Sequence, residues 1–164
     1  MYYTIGYEGV GIDTFIACLK QNNIQILADV RERPLSRKPG FSQRALRDAV
    51  SSQGIRYQHF QKLGCPPNIR DAYNTDKNWG NYRTAFNRYL ALNPDAVAEL
   101  VQFVKKCQCA LMCFEADQNF CHRSLIARQL EEQYGISVIN LHPVIPKVRQ
   151  INFLEPSMSY ISAG

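Results

Sequence analysis

CALMCF (residues 109–114), CHRSLIARQLEEQY (121–134) and ISVINL (136–141), with Gly135 between the last two, form the stretch that decides the fold. The first run is apolar without alternation, as expected of a strand covered on both faces. The second places Leu125, Ile126, Leu130 and Tyr134 at helical spacing, and Gly135 suits the turn that ends a helix. The third is again strand-like. A strand, a helix and a second strand in succession predict parallel pairing through a right-handed crossover.

The same rhythm extends toward the N-terminus. YYTIGY (2–7) reads as a strand, 12–23 as a helix through Ile12, Phe15, Ile16 and Leu19, and IQILADV (24–30) as a second strand. Pro34, Pro39 and Gly40 mark 31–41 as loop, and Ser42 is placed to cap a helix carrying Ala45, Leu46, Ala49 and Val50, closed by Gly54. IRYQHF (55–60) is a weaker third strand. Residues 61–93 break the pattern with Gly64, Pro66, Pro67 and several Asn, which predicts a loop insertion with one short helix over Tyr82–Leu90. Asn93 and Pro94 start a helix with Val97, Leu100, Val101 and Val104 on one face. The expected fold class is α/β: a three-layer Rossmann-like domain with a mostly parallel sheet of about five strands. A single domain over 1–143 and a C-terminal tail over 144–164 are expected.

Composition narrows the setting. The chain has 164 residues, 46% hydrophobic and 20% charged, which suits one packed core and argues against global disorder. No apolar run reaches the length of a membrane span. MYYTIGYEGV lacks the basic start and apolar region of a secretion signal, so a cytoplasmic protein is expected. Six cysteines are then expected to be reduced, without a structural disulfide. Arg31, Arg33, Arg37, Lys38, Arg44 and Arg47 face Glu32 alone within one short segment, which equals the whole net charge of +5. Such a segment suits a nucleotide or nucleic-acid partner, or is simply a solvated basic face.

Ligands of open parallel sheets bind beyond the carboxyl ends of the strands. Those ends carry Tyr7 and Glu8, then Asp29 and Arg31, then Cys113 and Glu115, then His142, while the helix after the fourth strand opens with Cys121, His122 and Arg123. Convergence of both charge signs at one edge predicts a site. Glu115 or Asp29 suits an acid or base, with Glu8 a third carboxylate and His122 a proton carrier. Arg31, Arg37 and Arg123 suit an anion clamp, and Tyr7, Cys113 and His142 further substrate contacts. Structural ion pairs of Asp29 or Glu115 with Arg31 or Arg123 are the competing explanation.

Cys121, near a helix start and beside His122, is a candidate thiolate nucleophile. Cys113 to Arg123 is too long and too poor in glycine for a phosphatase- or rhodanese-type loop. Cys113, Cys121, His122 and His142 could supply four metal ligands, but close cysteine pairs are lacking, so no metal is expected. Gly6, Gly9 and Gly11 give G-x-x-G-x-G, which is not the dinucleotide fingerprint. Trp79, Tyr82, Phe86 and Tyr89 interleave with Arg70, Lys77, Arg83 and Arg88, which suits base stacking or an amphipathic helix packing Phe86 and Tyr89 inward.

TIGYEG (4–9), ADVRERPLSRKPGFS (28–42), GIRYQHFQKLG (54–64), ALMCFEADQNFCHR (110–123) and NLHP (140–143) together resemble the family known as domain of unknown function 488, over roughly 3–143. The resemblance implies an α/β domain whose shared polar residues look like an active site, with no general activity attached. The matching positions include Tyr7, Glu8, Asp29, Arg31, Arg37, Cys113, Glu115, Cys121, His122, Arg123 and His142. The expected function is an enzyme acting on a phosphate-bearing substrate, nucleotide or nucleic acid, by acid–base hydrolysis or group transfer. The alternatives are a non-catalytic nucleic-acid-binding module and a thiol- or metal-dependent enzyme centred on Cys121. No cofactor or oligomeric state is indicated.

Overall fold

The computed structural model describes residues 1–144. Beyond Val144, the tail expected over 144–164 lies outside the described residues. Five strands, β1 (Tyr2–Gly6), β2 (Ile26–Asp29), β3 (Arg56–His59), β4 (Cys109–Cys113) and β5 (Val138–Leu141), form an all-parallel sheet in the order β3-β2-β4-β1-β5. Six α-helices accompany it: α1 (Ile12–Gln21), α2 (Gln43–Ser51), α3 (Pro67–Asp76), α4 (Trp79–Ala91), α5 (Pro94–Lys106) and α6 (His122–Tyr134). This is the three-layer Rossmann-like α/β arrangement the sequence predicts.

Burial explains which strands read clearly. Every residue of β2 and β4 is buried, whereas β3 and β5 at the sheet edges are half solvated. Continuous apolar runs belong to central strands, and weak mixed runs such as RYQH belong to edges. Successive residues of a strand face opposite layers. Leu27 and Met112 accordingly join Phe15, Leu19, Leu46 and Val50 beneath α1 and α2. Ile26, Ala28 and Leu111 join Phe86, Leu100, Val104, Ile126 and Leu130 beneath α4, α5 and α6.

That division positions the site. β1 and β2 lead into α1 and α2 on one face, while β4, which lies between them, leads into α6 on the other. The chain parts in opposite directions at the end of β4, and a crevice opens there, as at a topological switch point.

Residues 61–93 contain the helix expected over Tyr82–Leu90, within α4, but are otherwise more helical than the predicted loop. A 3₁₀ turn at Gln61–Leu63 is followed by two full helices, α3 and α4. α3 buries Ile69 alone, so it has almost no hydrophobic period to betray it, and its Pro67 serves as a first-turn residue. α4 starts at Asn78, whose side chain accepts the Asn81 amide, and buries Tyr82, Phe86 and Leu90. Ser42 does occupy the cap position of α2, but its hydroxyl makes no capping bond. Phe86 is fully buried and its ring lies 5.4 Å from that of His122. If 61–93 is integral to the core in this way, Phe86→Ala will cost about 3–4 kcal/mol in a urea titration, the range for truncating a buried aromatic. A separable loop would lose almost nothing.

Candidate functional site

The end of β4 is tied to the end of β1. The Tyr7 and Glu8 amides both donate to the Phe114 carbonyl, at 3.1 and 2.8 Å, and the Ala116 amide donates to Glu8 Oε2 at 3.0 Å. From behind, the buried Arg123 donates to the carbonyls of Glu115 and Ala116. Gly6 is what lets the strands come so close: a Cβ there would sit 1.9 Å from the Glu115 carbonyl oxygen. The three glycines after β1 thus do unrelated jobs. Gly6 admits a carbonyl, Gly9 turns at φ +78, and Gly11 precedes α1.

So held, the 113–122 segment folds onto itself. The thiols of Cys113 and Cys121 both donate to Glu115 Oε2, at 2.9 and 3.0 Å. His122 Nδ1 lies 3.6 Å from Cys113 Sγ and 3.9 Å from Cys121 Sγ, and its Nε2 is 2.7 Å from the Val30 carbonyl at the end of β2. One donor atom from each of these four residues falls within 4.8 Å of the other three. Cys113, Cys121 and His122 are buried and Glu115 is half-buried. The expected objection to a metal at this place, the missing close cysteine pairs, fails geometrically. Two short pairs, Cys113 with Glu115 and Cys121 with His122, are closed onto each other by the loop. Glu115 takes the place expected of His142.

Burial pushes the Cys121 thiol well up, and its neighbour Cys113 adds to this. Burial thus opposes the thiolate that the helix start and His122 were expected to favour at Cys121. Burial also opposes charge on Glu115, but the thiol hydrogen bonds from Cys113 and Cys121 outweigh it and leave the carboxyl below its ordinary range.

Asp29, considered above as an acid or base, sits in a closed network of hydrogen bonds. It is fully buried, and Arg31 meets it by Nε at 2.9 Å and Nη2 at 2.6 Å, while the Tyr57 hydroxyl donates to Oδ2 at 2.6 Å. Arg31 Nη1 also reaches the Tyr7 hydroxyl at 3.0 Å and the Phe41 carbonyl at 2.9 Å. Burial, and then the adjacent Asp29 carboxylate, push the Tyr57 hydroxyl up, so it remains a proton donor. Four of the five guanidinium hydrogens are committed to the protein, which makes Arg31 a structural hub more than an open anion clamp. Arg123, buried beneath the 115–116 peptide, spends Nη1 and Nη2 on its two carbonyls, while its buried Nε meets no acceptor among the described residues. Arg37 and His142 are exposed and lie outside the cleft lining, and exposed Glu8 serves to hold the Ala116 amide.

The cleft in front of the cluster has a volume of about 590 Å³. Tyr7, Arg31, Cys113, Glu115 and His122 line it, as the sequence led one to expect. So do Arg33, Cys65, Arg70, Tyr73, Trp79, Tyr82, Phe114 and Phe120. Arg70, Trp79 and Tyr82 had a signal in the interleaved aromatics and cations. Cys65, Phe114 and Phe120 had none, since nothing local distinguishes them from core or surface residues. Hollows of similar size lie near Tyr3 and Lys106 and between α4 and α6, but neither gathers buried ionisable groups. The basic segment is partly paired in place: Arg33 meets Glu32, Arg44 and Arg47 share Asp48, and Lys38 donates to the Tyr7 carbonyl.

An α/β chain with a thiol–carboxylate–imidazole cluster at its switch point is the class these features define. The profile of the family described as Domain of unknown function DUF488 matches residues 11–130, and the chain belongs to that family. No curated protein and no solved structure gives a significant match. Among the described residues no helix is long and apolar enough to cross a membrane.

Two substitutions test this account. Asp29→Asn leaves the Arg31 charge without its partner and is expected to cost about 3 kcal/mol in chemical unfolding. Gly6→Ala is expected to lower stability by about 1–3 kcal/mol through overpacking. Gly11→Ala, which meets nothing within 4 Å, should be near neutral in the same chemical unfolding assay.

Proposed function

We propose that this chain is an enzyme acting on a phosphate-bearing substrate of the nucleotide or nucleic-acid class, by hydrolysis or group transfer at the Glu115 cluster. The observation that carries this reading is a cluster of four chemically active side chains, three of which, Cys113, Glu115 and His122, line a cleft whose rim is cationic and aromatic. Arg33 and Arg70 are solvent-accessible guanidiniums leaning on the single carboxylate of Glu32, at 3.4 and 3.9 Å. Two cations sharing one anion leave net positive charge for a phosphate, and guanidinium forks suit its oxygens. The exposed Phe114 and Phe120, the latter 5.7 Å ring to ring from Trp79, offer aromatic surface on which a base can stack. The volume falls in the range of small-ligand sites, roughly 300–1,000 Å³.

Glu115 is the proton-handling group in this reading. Both thiols engage its Oε2, and Oε1 takes no side-chain hydrogen bond among the described residues. The burial of Arg31 against Asp29, and the sharing of Asp48 by Arg44 and Arg47, shorten the cationic face of the basic segment, which favours a catalytic cleft over a non-catalytic nucleic-acid surface.

The test is a turnover screen with the purified chain over nucleoside mono-, di- and triphosphates and short DNA and RNA oligomers. Glu115→Gln is expected to lose roughly a hundredfold or more in kcat with an unchanged melting temperature. Arg70→Ala is expected to raise KM about tenfold, as loss of one charge-assisted contact would. No turnover across the screen, or a Glu115→Gln enzyme as active as the wild type, ends the proposal.

A further inference from the structure

The donor atoms at the end of β4 are already spaced as a coordination shell. Tetrahedral bonds of about 2.3 Å to sulfur and about 2.0 Å to nitrogen imply ligand-to-ligand separations of about 3.3–3.8 Å. The two sulfur–imidazole separations, 3.6 and 3.9 Å, fall at or beside that range. The sulfur–carboxylate separations, 2.9 and 3.0 Å, are shorter because thiol protons bridge them. Replacing two bridging protons with one cation opens those edges by roughly half an ångström, within reach of the half-buried Glu115 side chain.

A hydrogen-bond inventory points the same way. Each thiol has one hydrogen, and both hydrogens go to Glu115 Oε2. The Val30 carbonyl only accepts, so His122 Nε2 carries a proton at their 2.7 Å contact. Nδ1 is left facing two sulfurs at long range with no donor of its own, on a side chain 5% exposed. A metal-binding histidine shows this arrangement, its far nitrogen fixed by a backbone carbonyl and its near one turned to the ion.

We propose that Cys113 Sγ, Cys121 Sγ, His122 Nδ1 and a Glu115 carboxylate oxygen bind one zinc-class divalent cation. Two thiolates and an imidazole select a soft or borderline ion over magnesium or calcium. Binding releases the two thiol protons to solvent as the sulfurs take up the metal. Three ligands are buried and Glu115 faces the cleft, so the fourth position is the exchangeable one, open to a substrate oxygen. That last consequence rests on the enzymatic reading above; the binding of the ion does not.

The experiment uses the full chain, purified under reductant, then stripped with a chelator and titrated with cobalt(II) or zinc. About one equivalent of zinc per chain before stripping is expected, with an intense sulfur-to-cobalt charge-transfer band and tetrahedral visible bands after cobalt is added. Cys121→Ser and His122→Gln should each weaken binding by roughly a hundredfold or more, while Glu115→Gln, losing the exchangeable ligand, should weaken it less. The cobalt spectrum of the wild-type chain needs no variant, so a substituted chain that fails to fold does not spoil the test. A stripped, folded wild-type chain that takes up no cobalt overturns the inference. So does rapid alkylation of Cys121 that zinc does not slow, which would mark a free reactive thiol. Stoichiometric cobalt with no turnover keeps the metal site and removes the proposed enzyme; turnover without metal does the reverse.

Discussion

The Arg31 guanidinium, buried at the end of β2, organises the carboxyl edge of the sheet. It joins Asp29 on its own strand, Tyr7 after β1 and the Phe41 carbonyl before α2, and through Asp29 it reaches Tyr57 on β3. Charges this far from water are tolerated when they are paired and most of their hydrogens have partners, and the geometry must then be kept. Tyr7 is fixed twice, by that hydrogen bond and by stacking on Phe41 at 4.3 Å. The loop after β1 is thereby anchored where it meets the loop after β4, and the Glu115 cluster is built on that anchor.

The convergence of the strand ends was legible because it depends on topology alone: parallel strands must end on one side. Tyr7, Arg31, Cys113, Glu115 and His122 were found in this way. Their jobs were not legible. Whether an arginine after a strand faces a ligand or folds back on its own aspartate is decided by side-chain direction, which Asp29 and Arg31 illustrate. The Cys113–Glu115–Cys121–His122 grouping depends on the path of residues 114–121, which Arg123 and Glu8 set from two sides and Gly6 permits. α3 escaped notice for a simpler reason, since a helix with one buried residue leaves no periodic trace in its sequence.

Charge gave a related lesson. The basic segment accounts for the whole net charge, yet Asp29, Glu32 and Asp48 meet many of its members within the fold. The two guanidiniums that do border the cleft come from different places, Arg33 in the loop after β2 and Arg70 in α3, and only their shared carboxylate, Glu32, connects them.

All four members of the cluster come from ten consecutive residues, Cys113 to His122. A segment that short keeps its donors near one another even when the rest of the chain is unfolded. An ion held there would bind the denatured chain appreciably as well, and stabilisation by a ligand falls as its affinity for the unfolded state rises. The preference for the native form must then come from outside the segment. The His122 bond to Val30, spanning 92 positions in sequence, is one contact that supplies it, beside those of Tyr7 and Glu8. In the unfolded chain the imidazole is free to offer either nitrogen; in the native fold β2 has already chosen.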